Sequence, residues 1–202
     1  MLRIISTLLV AYTLVGCTKE ETGVSGPELQ LTTIEQQDLS YLREEEKLAR
    51  DVYLYNKELY GLNIFGNISS SEQTHMDKVL ELLELAGLED PMKSNSIGEF
   101  NNAELAALYT ELTEQSSVSI VEALKVGALI EDLDIDDIEK MMTHTTNTSV
   151  LKVYSNLVCG SKNHIRAYTN NIENNGETYT PQFISVDYYN QILSESSGGC
   201  GN

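Results

Sequence analysis

Apolar residues recur at steps of three and four along four long stretches of this chain, which predicts four amphipathic helices. The first begins near Thr33, where "TIEQ" has the form of a capping box, and runs through "DLSYLREEEKLARDVYLYNKELY" to a stop at Gly61. The second starts around Gly66-Asn67 and reaches Ala86, with Gly87 as its stop signal. The third begins near Ser117 and ends near Thr143; the fourth runs from about Thr148 to Glu173 and breaks at "NNG". A long connection, residues 87–117, holds Pro91, Gly98 and one short amphipathic helix, "NNAELAALYTELTEQ". The C-terminal "ETYTPQFISVDYYNQIL" is less regular, with a short helix predicted at Val186–Leu193. No stretch alternates as a strand would, and no internal repeat is present.

Short first and third connections and a long middle one predict an all-α bundle with one crossover, the ferritin-like topology. A generic all-α domain is the alternative. The folded domain is expected over residues 33–193, with a flexible tail at 194–202.

The apolar stripes contain polar residues that a plain core would not. In the second helix the stripe reads Ile68, Glu72, His75, Val79, Leu82, Ala86. Residues three apart on a helix are neighbours, so Glu72 and His75 can converge on one ion. A partly buried Glu–His hydrogen bond is the simpler alternative. In the first helix, Leu39, Leu42, Glu46, Ala49 and Tyr53 form one stripe. Tyr41, Glu45, Leu48, Val52 and Tyr55 form a second, so periodicity does not choose between Glu45 and Glu46; Glu44 is expected to face solvent. The third helix aligns Leu124, Gly127, Glu131, Asp134, Ile138 and Met141, with Glu122 on the opposite face. Gly127 and Ala128 are small enough for close helix approach. The fourth aligns Val150, Tyr154, Leu157, Ser161, His164 and Tyr168. Burying each of these polar groups separately would cost several kcal/mol, whereas one or two shared ions would satisfy them together. Carboxylates and imidazoles without thiolates suit iron, manganese or zinc.

The formal charge of −18 argues against nucleic-acid binding, because phosphate would be repelled. At the N-terminus, Arg3 precedes an apolar run from Ile4 to Val15 and then Gly16-Cys17, which reads as a secretory signal over residues 1–16. "LVGC" resembles the lipobox of bacterial lipoproteins. By that resemblance Cys17 becomes the lipid-bearing N-terminus, residues 17–32 form a lipidated tether, and the membrane is a partner through the lipid. "CTKEE" is similar to the surface-export signal of Bacteroidetes lipoproteins, so the expected location is the bacterial cell envelope, periplasmic or on the outer-membrane surface. Outside the cytoplasm Cys159 and Cys200 are candidates for a disulfide. A homodimer is a candidate assembly.

The residues also resemble a family. "Glu46-x-x-Ala49-x-x-x-Tyr53", "Glu72-x-x-His75" and "Glu131-x-x-Asp134" are similar to helix motifs of the rubrerythrin and erythrin-type di-iron proteins. More closely, "REEEKLARDVYLY", "GLNIFGNISSSEQTHMDKV", "VGALIEDLDIDD" and "SKNHIRAY" resemble a bacterial family of ferritin-like proteins described as a domain of unknown function, over about residues 35–193. The resemblance favours Glu46 over Glu45 and implies a ligand set of Glu46, Glu72, His75, Glu131 and His164, with Asp134 as a further candidate. Tyr53 and Tyr168 lie one turn from those positions, as core tyrosines or as donors to the ligands. One departure stands out. Where the di-iron relatives carry Glu-x-x-His in the fourth helix, this chain has Ser161-x-x-His164. The implied activity is a redox reaction on oxygen, peroxide or ferrous iron; the alternative is a non-enzymatic bundle with a structural metal or a partner-binding role. A hydrolase using the carboxylates as acid and base finds no nucleophile motif to support it.

Overall fold

A computed structural model describes residues 28–196 and 198–200. The expected signal peptide, Cys17 and most of the tether lie outside the described residues. Those residues form six helices and no strand: α1 (Thr33–Tyr60), α2 (Asn63–Leu85), α3 (Ala103–Ser116), α4 (Ile120–Met142), α5 (Thr148–Asn174) and α6 (Val186–Ser194).

Local chemistry sets the ends of these helices. The α1 capping box lies one residue before the expected one: Thr32 accepts from the Glu35 N–H, and the Glu35 carboxylate accepts from the Thr32 N–H. Gly61 ends α1 at φ 70, a left-handed position that glycine adopts without strain. The second helix starts at Asn63, ahead of the expected Gly66-Asn67, behind Leu62, which makes no side-chain cap. With no capping residue, the sequence carries no start signal there. The α4 start moves to Ile120 because Ser119, not Ser117, accepts from the Glu122 N–H.

The helices α1 and α2 pack as one hairpin and α4 and α5 as another; α1 meets α4, α2 meets α5, and α3 lies against α1 and α4. The result is a helical bundle whose core is two apolar clusters. One joins Tyr53 and Phe65 to Leu124, Ile165 and Tyr168. The other joins Leu39 and Leu42 to Leu83, Ile138 and Tyr154. In chain position, Glu46 on α1, Glu72 and His75 on α2, and Ser161 and His164 on α5 fall between the two clusters; on α4, Glu131 and Asp134 fall among the last residues of the first cluster, ahead of Ile138 of the second. A polar layer therefore divides the core.

Glu44, expected to face solvent, is buried. Its carboxylate accepts from the N–H groups of Asn101 and Asn102 at 2.9 and 2.7 Å, where the crossover enters α3. The neighbouring cations also grip the crossover. Arg43 pairs with Asp90 at 2.9 Å, Lys47 donates to the Ser96 carbonyl at 2.7 Å, and Arg50 donates to Asn95 Oδ1 at 2.7 Å. With the crossover covering this side and the core the other, every residue of α1 from Leu42 to Tyr53 is buried. On α4, Asp132 accepts from Tyr179 and from the backbone of Gln182, Phe183 and Ile184, which secures the approach to α6. The tail expected to be flexible returns to α5: Cys200 is bonded to Cys159, and Asn163 donates to the Gly198 carbonyl at 3.0 Å.

Gly127 lets α5 approach α4. A Cβ there would sit 2.4 Å from Tyr168 Cε1, inside a fully buried ring. Gly127→Ala should destabilise the protein by about 1–3 kcal/mol through overpacking, outweighing a helix-propensity gain of about 1 kcal/mol. Urea denaturation of the two proteins checks this.

Candidate metal centre

Each long helix contributes to the polar layer through residues one turn apart or less. On α2, the i,i+3 spacing sets His75 Nδ1 2.7 Å from Glu72 Oε2. From α1, Glu46 Oε2 comes within 3.2 Å of the same nitrogen. From α5, His164 Nδ1 lies 2.8 Å from the other oxygen of Glu72 and 3.3 Å from Glu131 Oε2 on α4. Two groups result, Glu46–Glu72–His75 and Glu72–Glu131–His164, and Glu72 belongs to both. The two imidazoles stack with centroids 5.8 Å apart.

The remaining candidates take supporting places. Tyr53 Oη donates to Glu131 Oε1 at 2.6 Å and so orients that carboxylate. Tyr168 packs against Tyr53, centroids 5.4 Å apart, and its hydroxyl has no hydrogen-bond partner. Ser161 turns its hydroxyl to its own helix and donates to the Leu157 carbonyl at 3.2 Å. Asp134 is buried in the layer but belongs to neither group of three. Glu45 is buried as well, beside Asp137 of α4 and away from the histidines. The structure thus brings Glu46, rather than Glu45, to His75.

The donor set fits a metal. Both Glu72 oxygens and Glu46 Oε1 are buried with no hydrogen bond of acceptable geometry, although Glu72 lies 2.7 and 2.8 Å from imidazole nitrogens. The distances are those of contact; the directions are not those of N–H donation. Ligand atoms at right angles around an ion with 2.0–2.2 Å bonds are about 3 Å apart, so the spacing suits atoms that share an ion.

Electrostatics follow from the crowding. Burial pushes Glu46 up and His75 pulls it down, leaving it at about 7. Burial also opposes charge on Glu72, but the two histidines override it and hold Glu72 well below the usual carboxylate range. Burial disfavours the imidazolium form of both histidines, yet the facing carboxylates win: His75 is raised well above its ordinary value and His164 to about 10. Burial and its acidic neighbours, Glu46 first, raise Asp134 well above the ordinary range. A metal must therefore displace protons from the imidazoles.

The layer opens beside the histidines. A pocket of about 430 Å³ is lined by His75, His164, Lys78, Asn163, Gly160 and Cys200, among others. Gly160 makes room for the His75 ring, since a Cβ there would lie 2.6 Å from Nε2. A larger pocket, about 670 Å³, lies over α1 and the crossover and does not touch the histidines. Sequence reading did not single out Gly160; its signal is a small residue one helical turn before His164.

The family model described as an uncharacterized protein domain, DUF2202, matches residues 35–196. The uncharacterized protein MJ0754 of Methanocaldococcus jannaschii is 50% identical over 173 residues, covering 85% of this chain and 92% of that protein. The crystal structure of hypothetical protein MJ0754 from Methanococcus jannaschii has a TM-score of 0.83 and 49% identity, covering 86% of this chain and 99% of that one. With an archaeal relative, the family is not confined to bacteria.

In metal-free protein the histidines contribute stability that is complete below about pH 6.5 and is lost as pH rises through their folded values, about 10 for His164. Glu46, raised from 4.5 to about 7, acts in the same direction over that lower interval. Denaturation of chelator-treated protein from pH 5 to 10 should show stability falling with pH, with a shallower slope in a His75→Gln/His164→Gln variant.

Proposed function

The chain belongs to the DUF2202 family, and we propose that it is a metal protein with a two-ion carboxylate–histidine centre inside a ferritin-like bundle. One observation carries this reading: Glu72 is shared by two groups of three potential ligands, each completed by a histidine whose Nδ1 lies 2.7 or 2.8 Å from a Glu72 oxygen. Glu46 and His75 would hold one ion, Glu131 and His164 the other, and Glu72 would bridge them. Iron is the leading choice, with manganese or zinc as alternatives. A redox-active ion there would supply one-electron chemistry toward oxygen, peroxide or ferrous iron.

The chain's own residues shape that chemistry. The carboxylates favour the higher oxidation state of a bound metal. Tyr53 fixes the orientation of Glu131, as outer hydrogen bonds commonly do for metal ligands. The apolar clusters above and below exclude water, and the histidine-side pocket gives a small molecule access. The Cys159–Cys200 disulfide supports an extracytoplasmic location, in keeping with a lipid anchor at Cys17 and a place in the cell envelope.

A structural, non-enzymatic metal is the second reading. Ser161 favours it, because a hydroxyl bonded to its own helix leaves the centre with a single bridging carboxylate.

Metal analysis after anaerobic reconstitution should find two equivalents, one per ligand group. Glu72→Ala should lose both; a metal-free unmodified protein would defeat the reading. Peroxide should change an iron absorption band in the redox case, whereas zinc alone with no spectral response would select the structural one. Gly160→Ala should keep the helical circular dichroism but weaken metal binding about 10–100-fold, the usual cost of disturbing a ligand's support, as read by chelator competition.

A further inference from the structure

The chain end is fastened to α5 at the rim of the histidine pocket. Cys159 and Asn163 are four apart on α5 and so share one face of the helix. Both hold the tail: Cys159 is bonded to Cys200, and Asn163 Nδ2 donates to the Gly198 carbonyl at 3.0 Å and lies 3.2 Å from Cys200 Sγ. Gly160 and His164, also four apart, form the adjoining row and line the pocket. Arg166 sets the Asn163 amide. Its Nη2 donates to Asn163 Oδ1 at 2.5 Å, which leaves Nδ2 for the tail. Its Nη1 donates to the Ile192 carbonyl at 2.8 Å, so one guanidinium holds both the end of α6 and the residue that receives the tail. Cys200 is thereby brought to the same pocket as His75 and His164, whose side chains are only 10% and 11% exposed.

We propose that the Cys159–Cys200 disulfide is a redox-controlled strap that, when oxidised, limits the access of small polar molecules to the histidine side of the polar layer. Cys200 is exposed and Cys159 only partly so. A dithiol reductant therefore attacks Cys200 Sγ, and Cys159 leaves as a thiol. The reductant's second thiol then displaces Cys200. One S–S bond breaks in the protein and one forms in the reductant, whose two electrons and two protons end on Cys159 and Cys200. The Asn163 contacts remain, but neutral hydrogen bonds to an exposed segment contribute little net stability. The wall at Cys200 is then free to move away, and the edges of both imidazoles open to solvent. An oxidising compartment keeps the strap closed. Its meaning as a gate to a metal centre rests on the metal reading; the strap itself does not.

Paramagnetic relaxation in solution tests the strap with no metal in the protein. The chain has three histidines. His75 and His164 line the pocket, whereas His144 lies on the turn after α4, 37% exposed and paired with Asp38. In purified, chelator-treated protein, a soluble neutral nitroxide should relax the ring protons of His75 and His164 several-fold faster after dithiol treatment. Mass spectrometry confirms cleavage of the disulfide, and reoxidation should reverse the change. Cys200→Ser should behave as the reduced protein does, and His144 should be unchanged throughout. Equal relaxation of His75 and His164 in the oxidised and reduced forms would overturn the strap. So would a rise shared by His144, which reports general loosening of the fold. Protein that takes up no metal yet shows the redox-dependent change defeats the metal reading and supports the strap; metal uptake without that change defeats the strap alone.

Discussion

A carboxylate buried away from water must find a positive partner or stay protonated, and the middle of this bundle holds several. Glu46, Glu72, Glu131 and Asp134 meet there, and among the described residues His75, His164 and the Tyr53 hydroxyl answer them. Glu72 takes both imidazoles, one on each oxygen. That shared contact ties α2 to α5, while Glu46 and Glu131 bring in α1 and α4. The apolar clusters on either side hold the layer in place and keep water from relieving it. In the proposed reading the relief comes from bound cations, which turn an electrostatic cost of folding into a reason for binding.

The run "REEEKLARD" illustrates how one helix meets several demands at once. Successive residues point about 100° apart, so Glu44, Glu45 and Glu46 face different surroundings. Glu44 holds the backbone where the crossover enters α3. Glu45 faces Asp137. Glu46 faces His75. The cations in the same run, Arg43, Lys47 and Arg50, are spent on the crossover and on Asp51, and so do not neutralise the central layer. This division leaves the layer acidic despite the buried lysine and arginines nearby.

Ser161 gives the centre a lopsided character. The α2 side supplies Glu72 and His75, but the α5 side supplies only His164, because Ser161 bonds back to Leu157. Beside it, Gly160 leaves room for His75, and Cys159 anchors the chain end through Cys200. Of these three consecutive residues of α5, Gly160 lines the pocket and Cys159 reaches it through Cys200, whereas Ser161 is turned into its own helix.

Periodicity alone specified the helices, because an amphipathic stripe records which side of a helix is covered. It also exposed Glu72, His75, Glu131 and His164 as polar residues on apolar faces. Helix starts were less legible: Leu62 offers no capping side chain, and at α1 the capping pair is Thr32 and Glu35 rather than its neighbours. Periodicity misplaced Glu44 and left Glu45 and Glu46 unresolved, because the middle of α1, Leu42 to Tyr53, is covered on every side and its stripe has no solvent face there to contrast with. Tertiary packing decided these matters. It set Glu46 beside His75, divided Glu72 between two histidines, turned Ser161 away, and carried Asn101 and Asn102 to Glu44. A stripe reports that a residue is buried; only the neighbouring helices determine which charge it meets there.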